Sequence, residues 1–172
     1  MRKHKMIWSL AILVLTLPSS PLHVQGGSDA YDMPEKEQET IRKTFTFPAG
    51  AVHRTLEIDN VFGSINVIGS QSNDVQLVVN KTIRAESKSR LEEARRKVTL
   101  DITQEGDALR FYVNGPFRCQ CQGCVSWNGD EGYVVKMDFE LQIPRDIEIN
   151  LKTVNSGNIS VRNVTEIGRA HV

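Results

Sequence analysis

The sequence predicts an all-β protein, its short strands stacked in a solenoid-like arrangement with one short amphipathic helix. Three observations predict it. After Thr40, apolar and polar residues alternate with period two over most of the chain, the signature of a sheet with one buried and one wet face. One stretch, Glu86–Val98, breaks that alternation with a helical period. A glycine-led motif occurs twice, as "GSINV" (Gly63–Val67) and "GNISV" (Gly157–Val161), the mark of repeated corners between very short strands.

The chain opens with the layout of a secretory signal. A basic "MRKHK" precedes an uncharged, apolar run, Met6–Leu17, and Val24 and Gly26 supply the small residues of a cleavage site. Residues 1–26 are therefore read as a signal peptide. The apolar run has 12 residues, short of the roughly 20 that a membrane-spanning helix needs; an uncleaved anchor is the alternative. Residues 27–40 are polar, acidic and without apolar periodicity, and read as a flexible linker.

A β-repeat domain is expected over 41–165. Phe45 and Phe47 alternate in "TFTF", and Leu56 and Ile58 in "TLEI". Gly63 then supplies the backbone angle of a tight corner, with Ile65 and Val67 pointing inward. Glu86–Val98 carries Leu91, Ala94 and Val98 at helical spacing, with Glu92/Arg96 and Glu93/Lys97 four apart in the favourable order. Val98, Leu100 and Ile102 share the next face, and Leu109, Phe111 and Val113 the one after. "VKMDFELQI" sets Val135, Met137, Phe139, Leu141 and Ile143 against Lys136, Asp138, Glu140 and Gln142. Pro144 and Asp146 make a turn, and Ile147, Ile149 and Leu151 resume. Gly157 opens the second copy of the corner motif.

The tail, 166–172, reads differently. Ile-Gly-Arg-Ala-His-Val is what ATC GGA AGA GCA CAC GTC encodes, and those bases resemble a common short-read sequencing adapter. The tail is expected to be non-native, and the natural protein to continue beyond Thr165 with further corner motifs.

Composition excludes several functions. Three of the 21 Lys+Arg (Arg2, Lys3, Lys5) lie in the signal, and none of the 21 Asp+Glu does. The exported chain is mildly acidic, without the basic footprint that nucleic acid requires. Of the histidines, His4 and His23 fall in the signal and His171 in the tail, leaving His53, too little for most imidazole-based catalysis. The acidic pairs Glu92/Glu93 and Asp130/Glu131 sit on a helix face and in a loop, and no pair of carboxylates is placed across a cleft. Asn158-Ile-Ser160 and Asn163-Val-Thr165 match a glycosylation sequon and are read as polar strand and turn positions.

The order and spacing of these features resemble the putative-adhesin family of bacterial exported proteins. The resemblance rests on the signal, on "FPAGAVHRTLEIDNVFGSINVIGSQSNDVQLVVNKTIRA" (Phe47–Ala85), on the charged helix and on "GYVVKMDFELQIPRDIEINLKTVNSGNISV" (Gly132–Val161). It implies an all-β, solenoid-like fold at or beyond the cell membrane, in the periplasm, on the surface or outside the cell. It implies a non-enzymatic structural or binding scaffold, with no catalytic residue and no cofactor. The expected partner is an envelope, surface or extracellular ligand, with membrane contact only through export or an anchor.

All three cysteines lie in "RCQCQGC". They occupy a long excursion, Asn114–Tyr133, between two strong strands. A disulfide would restrain such an excursion in an oxidising compartment: Cys119–Cys124 is the first choice, Cys121–Cys124 the second, and either leaves one thiol over. The alternative is a thiol-based metal or redox protein. Cys119, Cys121 and Cys124 could hold a soft ion such as Cu(I), and Cys121 and Cys124 form C-x-x-C, with Arg118 the nearby cation. Trp127 and Tyr133, flanking the same excursion, are expected to pack the loop onto the sheet.

Overall fold

A computed structural model describes residues 32–51, 53–118, 131–165 and 167–172, with Ile167 described by its backbone alone. All lie in the unit Tyr31–Val172. The protein is mostly β, with two mixed five-stranded sheets and one helix. In chain order the strands are β1 (Glu35–Thr46), β2 (Thr55–Asp59), β3 (Ile65–Ser70) and β4 (Asp74–Ala85), then helix α1 (Lys88–Lys97). After the helix come β5 (Thr99–Glu105), β6 (Ala108–Asn114), β7 (Tyr133–Pro144), β8 (Glu148–Lys152), β9 (Ile159–Arg162) and β10 (Ile167–His171).

The first sheet runs β1-β4-β7-β3-β9 and the second β10-β8-β2-β6-β5. β1, β4 and β7 pair antiparallel, whereas β7, β3 and β9 pair parallel. In the second sheet β10, β8, β2 and β6 are parallel and β5 closes antiparallel on β6. The β2–β3 and β8–β9 segments each cross from one sheet to the other, forming arches that stack in parallel. Their order is not that of the chain, because the β2–β3 arch lies between β6–β7 and β8–β9.

The alternation seen in the sequence becomes one core shared by both sheets. Leu56, Ile58, Leu109, Phe111, Ile149 and Leu151 from the second sheet meet Ile65, Val67, Leu77, Val79, Met137 and Phe139 from the first, all nearly inaccessible to solvent. Each such side chain contributes about 1.5–3 kcal/mol of apolar burial. The rings of Phe45 and Phe111 meet across the core with centroids 5.4 Å apart.

One expectation changes. β1 begins at Glu35, inside the stretch 27–40 read as a flexible linker. Its partner β4 supplies a complete antiparallel register from Glu35↔Ala85 to Thr46↔Asp74. Backbone pairing holds this edge strand, so it needs little apolar alternation, which is the signal the linker reading relied on. The tail also pairs: Ile167–His171 lie along β8 with an irregularity between Ile167 and Arg169. Edge pairing draws on the same backbone groups whatever the side chains.

Helix α1 forms where its period requires. Ser87 caps it, its Oγ accepting from Arg90 N at 3.4 Å, and Leu91, Ala94 and Val98 turn inward. Lys97 pairs with Glu93 at 2.6 Å as expected, but Glu92 pairs with Arg95 rather than Arg96. Lys81 occupies an inward position of β4 and is buried. Its ammonium donates to Val98 O at 2.8 Å, occupying a carbonyl at the helix end. Burial lowers its pKa, against the opposing pull of Glu39 and Glu37.

The corner glycines are required for different reasons. Gly63 has φ +114°, and a Cβ there would lie 2.2 Å from Met137 O. Gly157 does not carry its arch's unusual angle; the left-handed residue is Ser156, at φ 47°. Glycine is needed at 157 because a Cβ would lie 2.1 Å from Gly63 O. The sequence expectation of an angle at Gly157 is thus corrected to one of close approach: backbone stacks on backbone, leaving no room for a side chain.

Candidate functional site

The second corner feature is polar and lies at the end of β2. Asn60 is wholly buried. Its Nδ2 donates to Gly63 O (3.1 Å) and Met137 O (3.0 Å), and its Oδ1 accepts from Val61 N (2.9 Å). Thr153 Oγ1 donates to the same Gly63 carbonyl at 3.0 Å. These bonds tie three successive layers of the stack at one end, and they pair the buried Asn60 amide and the Gly63 carbonyl.

Beside this corner, on the outer face of the second sheet, parallel register aligns Tyr112 of β6, Asp59 of β2 and Lys152 of β8 in one row. The chain leaves β6, turns through Gly115 with Arg118 N donating to Gly115 O (3.0 Å), and lays Arg118 back over that row. The guanidinium donates from Nε to Val113 O (2.9 Å), and from its two terminal nitrogens to Asp59 Oδ1 (3.1 Å) and Asp59 O (3.0 Å). It stacks on the Tyr112 ring at 4.3 Å, and Arg110 flanks the same ring at 5.0 Å. Lys152 Nζ lies 3.9 Å from Asp59 Oδ2. The Arg118 and Asp59 side chains are 6% and 10% exposed, so this is a buried, charge-assisted pair with planar stacking added.

The arrangement is a clamp. The guanidinium fork is spent on protein acceptors, and Asp59 is neutralised from two sides. What the clamp does is fix Arg118, the residue preceding Cys119, on a rigid sheet.

The other sequence candidates are dispersed. Cys119, Cys121, Cys124, Trp127 and Asp130 lie outside the described residues, and with them the proposed disulfides and thiol metal site. Among the described residues, no three His, Cys, Asp or Glu side chains gather as a metal site. His53 is exposed ahead of β2. Glu92 and Glu93 are engaged by Arg95, Arg90 and Lys97 on the helix surface. Tyr133 begins β7 with its ring packed in the core and its hydroxyl buried near Glu131. Burial, with Glu131 and Glu93 adding, pushes its pKa up to about 12.

Asp138 ties the first corner to β7. Its Oδ1 accepts from Ser64 N (2.9 Å) and Ser64 Oγ (2.7 Å), and Lys136 Nζ sits 2.8 Å from Oδ2. Burial pushes its pKa up, but the Lys136 ammonium and the Ser64 donors outweigh it, and the carboxyl lies below its ordinary 3.8.

Sequence reasoning missed the clamp. Arg118 stood out only as a cation near cysteines, and nothing in "DNVF" marked Asp59 as its partner. The two are 59 residues apart; only the β2–β6 register brings them together.

No family model matches the chain, and no curated protein does. One solved structure is similar in part, described as a putative cell adhesion protein from Clostridium sporogenes ATCC 15579. The two share 13% identity with a TM-score of 0.32, over 73% of this chain and 57% of the other. The chain thus spans somewhat over half the length of that protein. Among the described residues, no helix is long and apolar enough to cross a membrane.

Proposed function

We propose that this chain is an exported, non-enzymatic protein of the bacterial envelope, an adhesin-like scaffold that presents a binding loop. The observation that carries the reading is the clamp. Arg118 is anchored to the outer face of the second sheet, and the sequence reads the residues that follow it, 119–130, as part of a long connection; loops held on sheets are where binding residues concentrate. The export part of the reading rests on the signal-like residues 1–26, and the adhesin part on the resemblance of sequence order. On the finer level, the parallel arches are taken as a short solenoid-like stack, one whose layers are assembled out of chain order. The parallel registers of β3 with β9 and of β2 with β8 support this.

Two measurements test the proposal. Expressed in a bacterium, the chain should be recovered outside the cytoplasm with its N-terminus at Gly27; full-length protein retained in the cytoplasm overturns the export reading. Thiol counting on the exported protein then separates scaffold from thiol chemistry. One free thiol and no bound metal supports the scaffold, whereas three thiols protected by stoichiometric copper or zinc overturns it.

A further inference from the structure

The outer faces of the two sheets treat charge differently. On the second sheet the cations are matched. Arg110 stands opposite Glu57 in the β2–β6 register and pairs with it at 3.5 Å, and Arg118 and Lys152 both meet Asp59. On the first sheet they are not. Alternation with the buried rows places Lys36, Arg42, Arg84 and Arg162 on the outer face, all exposed. Among the described residues, none of the four forms an ion pair. Lys36 stands directly opposite Arg84, a like-charge cross-strand pair that is destabilising.

The carboxylates of this face are already engaged. Asp138 is held by Ser64 and Lys136, Asp74 accepts from Thr46, and Glu140 accepts from Asn80. The face is positive in a chain whose residues beyond the signal are mildly acidic. Between its cations it is amide and hydroxyl. Thr44, Gln76 and Gln142 form one cross-strand row, and Thr40 bonds Asn80 at 3.0 Å in another. Among the described residues, no aromatic side chain lies on it.

We infer that the outer face of the first sheet is a docking surface for a sparsely charged anionic polysaccharide. Its carboxylate or sulfate groups meet Lys36, Arg42, Arg84 and Arg162, and its hydroxyls pair with the amides and hydroxyls between them. Charge complementarity carries the choice. Lys36 and Arg42 are six residues apart on one strand, about 20 Å. Arg42 and Arg162 lie four strands apart, about 19 Å across the sheet. A polymer with neutral sugars between its charges fits that spacing. A nucleic acid does not, with a charge every 1.7 Å or so when double-stranded and bases that seek aromatic faces when single. The face lies across the shared core from Arg118, so the inference stands apart from the 119–130 loop.

The probe is a hyaluronan octasaccharide, with a carboxylate on every second sugar, titrated into the full chain by isothermal calorimetry at about 50 mM salt. A chondroitin sulfate octasaccharide and a neutral dextran are titrated beside it. Saturable binding of the acidic sugars, none of dextran, and loss at about 0.5 M salt are expected. Tighter binding of chondroitin sulfate assigns sulfate as the preferred group, and equal binding assigns carboxylate. Arg42→Gln with Arg84→Gln should weaken binding about tenfold or more. The thermal midpoint should hold or rise, because Lys36 loses its like-charged neighbour. Lys88→Gln with Arg96→Gln removes the same charge from the exposed side of the helix and should leave binding unchanged. Should the first double variant fail to fold, Arg42→Gln and Arg162→Gln singly must still weaken binding. The inference is overturned by no saturable binding of either acidic sugar up to about 1 mM, by equal weakening in the helix variant, or by equal binding of dextran or of an oligothymidylate.

Discussion

Arg118 shows how much a single side chain can settle. Removing the guanidinium leaves Asp59 buried beside Lys152 at 3.9 Å alone. Breaking one partner of a buried pair costs about 3–5 kcal/mol. Arg118→Ala should therefore lower unfolding stability by that order in urea titration, and Arg118→Ala combined with Asp59→Asn should recover part of it. A surface role would give two small, additive losses instead. The glycines offer a second contrast at this scale. Gly106 has φ +56° with open space around its Cβ position, whereas Gly63 has φ +114° with Met137 O at 2.2 Å. Gly106→Ala should cost about 1–2 kcal/mol from backbone strain alone. Gly63→Ala should cost about 1–3 kcal/mol more, from overpacking, read from the difference in denaturation midpoints at constant slope. Gly63 was legible as special in the sequence and Gly106 was not singled out; the close approach at Gly63 could not be read, because it depends on what stacks on top.

Between elements, the links are polar and respond to pH. Asp138 joins β7 to the corner before β3, and its folded pKa lies below 3.8. A carboxyl with a depressed pKa stabilises the fold above its unfolded value, and that contribution is lost as pH falls from about 4 through the folded pKa. Asp138→Asn should thus be less stable than wild type at pH 7, with the gap closing below about pH 4 in acid denaturation. Tyr133 gives the alkaline counterpart. It is an acid whose pKa is raised from 10.0 to about 12, so the fold favours its neutral form. That stabilisation is complete below pH 10 and is lost as pH rises towards 12. Tyr133 should ionise late, near pH 12, in an ultraviolet titration of the folded protein, and Tyr133→Phe should remove that step. The strands with clean alternation, above all Val135–Ile143, were legible from the sequence because one of their faces is dry. β1 was not: as an edge strand, its side chains largely face water and carry charges.

For the molecule as a whole, both sheets feed one core, and each arch is covered only when strands distant in sequence arrive. Unfolding should be a single cooperative transition, with far- and near-ultraviolet circular dichroism superimposing. Refolding should take milliseconds to seconds, the range of sheet proteins dominated by non-local pairing. Separate transitions for the two sheets would contradict the shared core. The mostly β character was readable in period two, because that pattern is local. The stacking order was not, because no local pattern in Thr55–Ser70 says that β6–β7 will settle on one side and β8–β9 on the other.

That insertion has a consequence for biosynthesis. A ribosome adding about 5–20 residues per second delivers β8 roughly 5–20 s after β2. Until β6 and β7 are made, Leu56, Ile58, Ile65 and Val67 have no strand on either flank, and their second flank stays open until β8 and β9 follow. A nascent chain built this way stays unfolded until it is nearly complete. Such a delay leaves time for a holding chaperone to engage the nascent chain and, on the export reading proposed above, for a translocation channel that accepts only unfolded polypeptide.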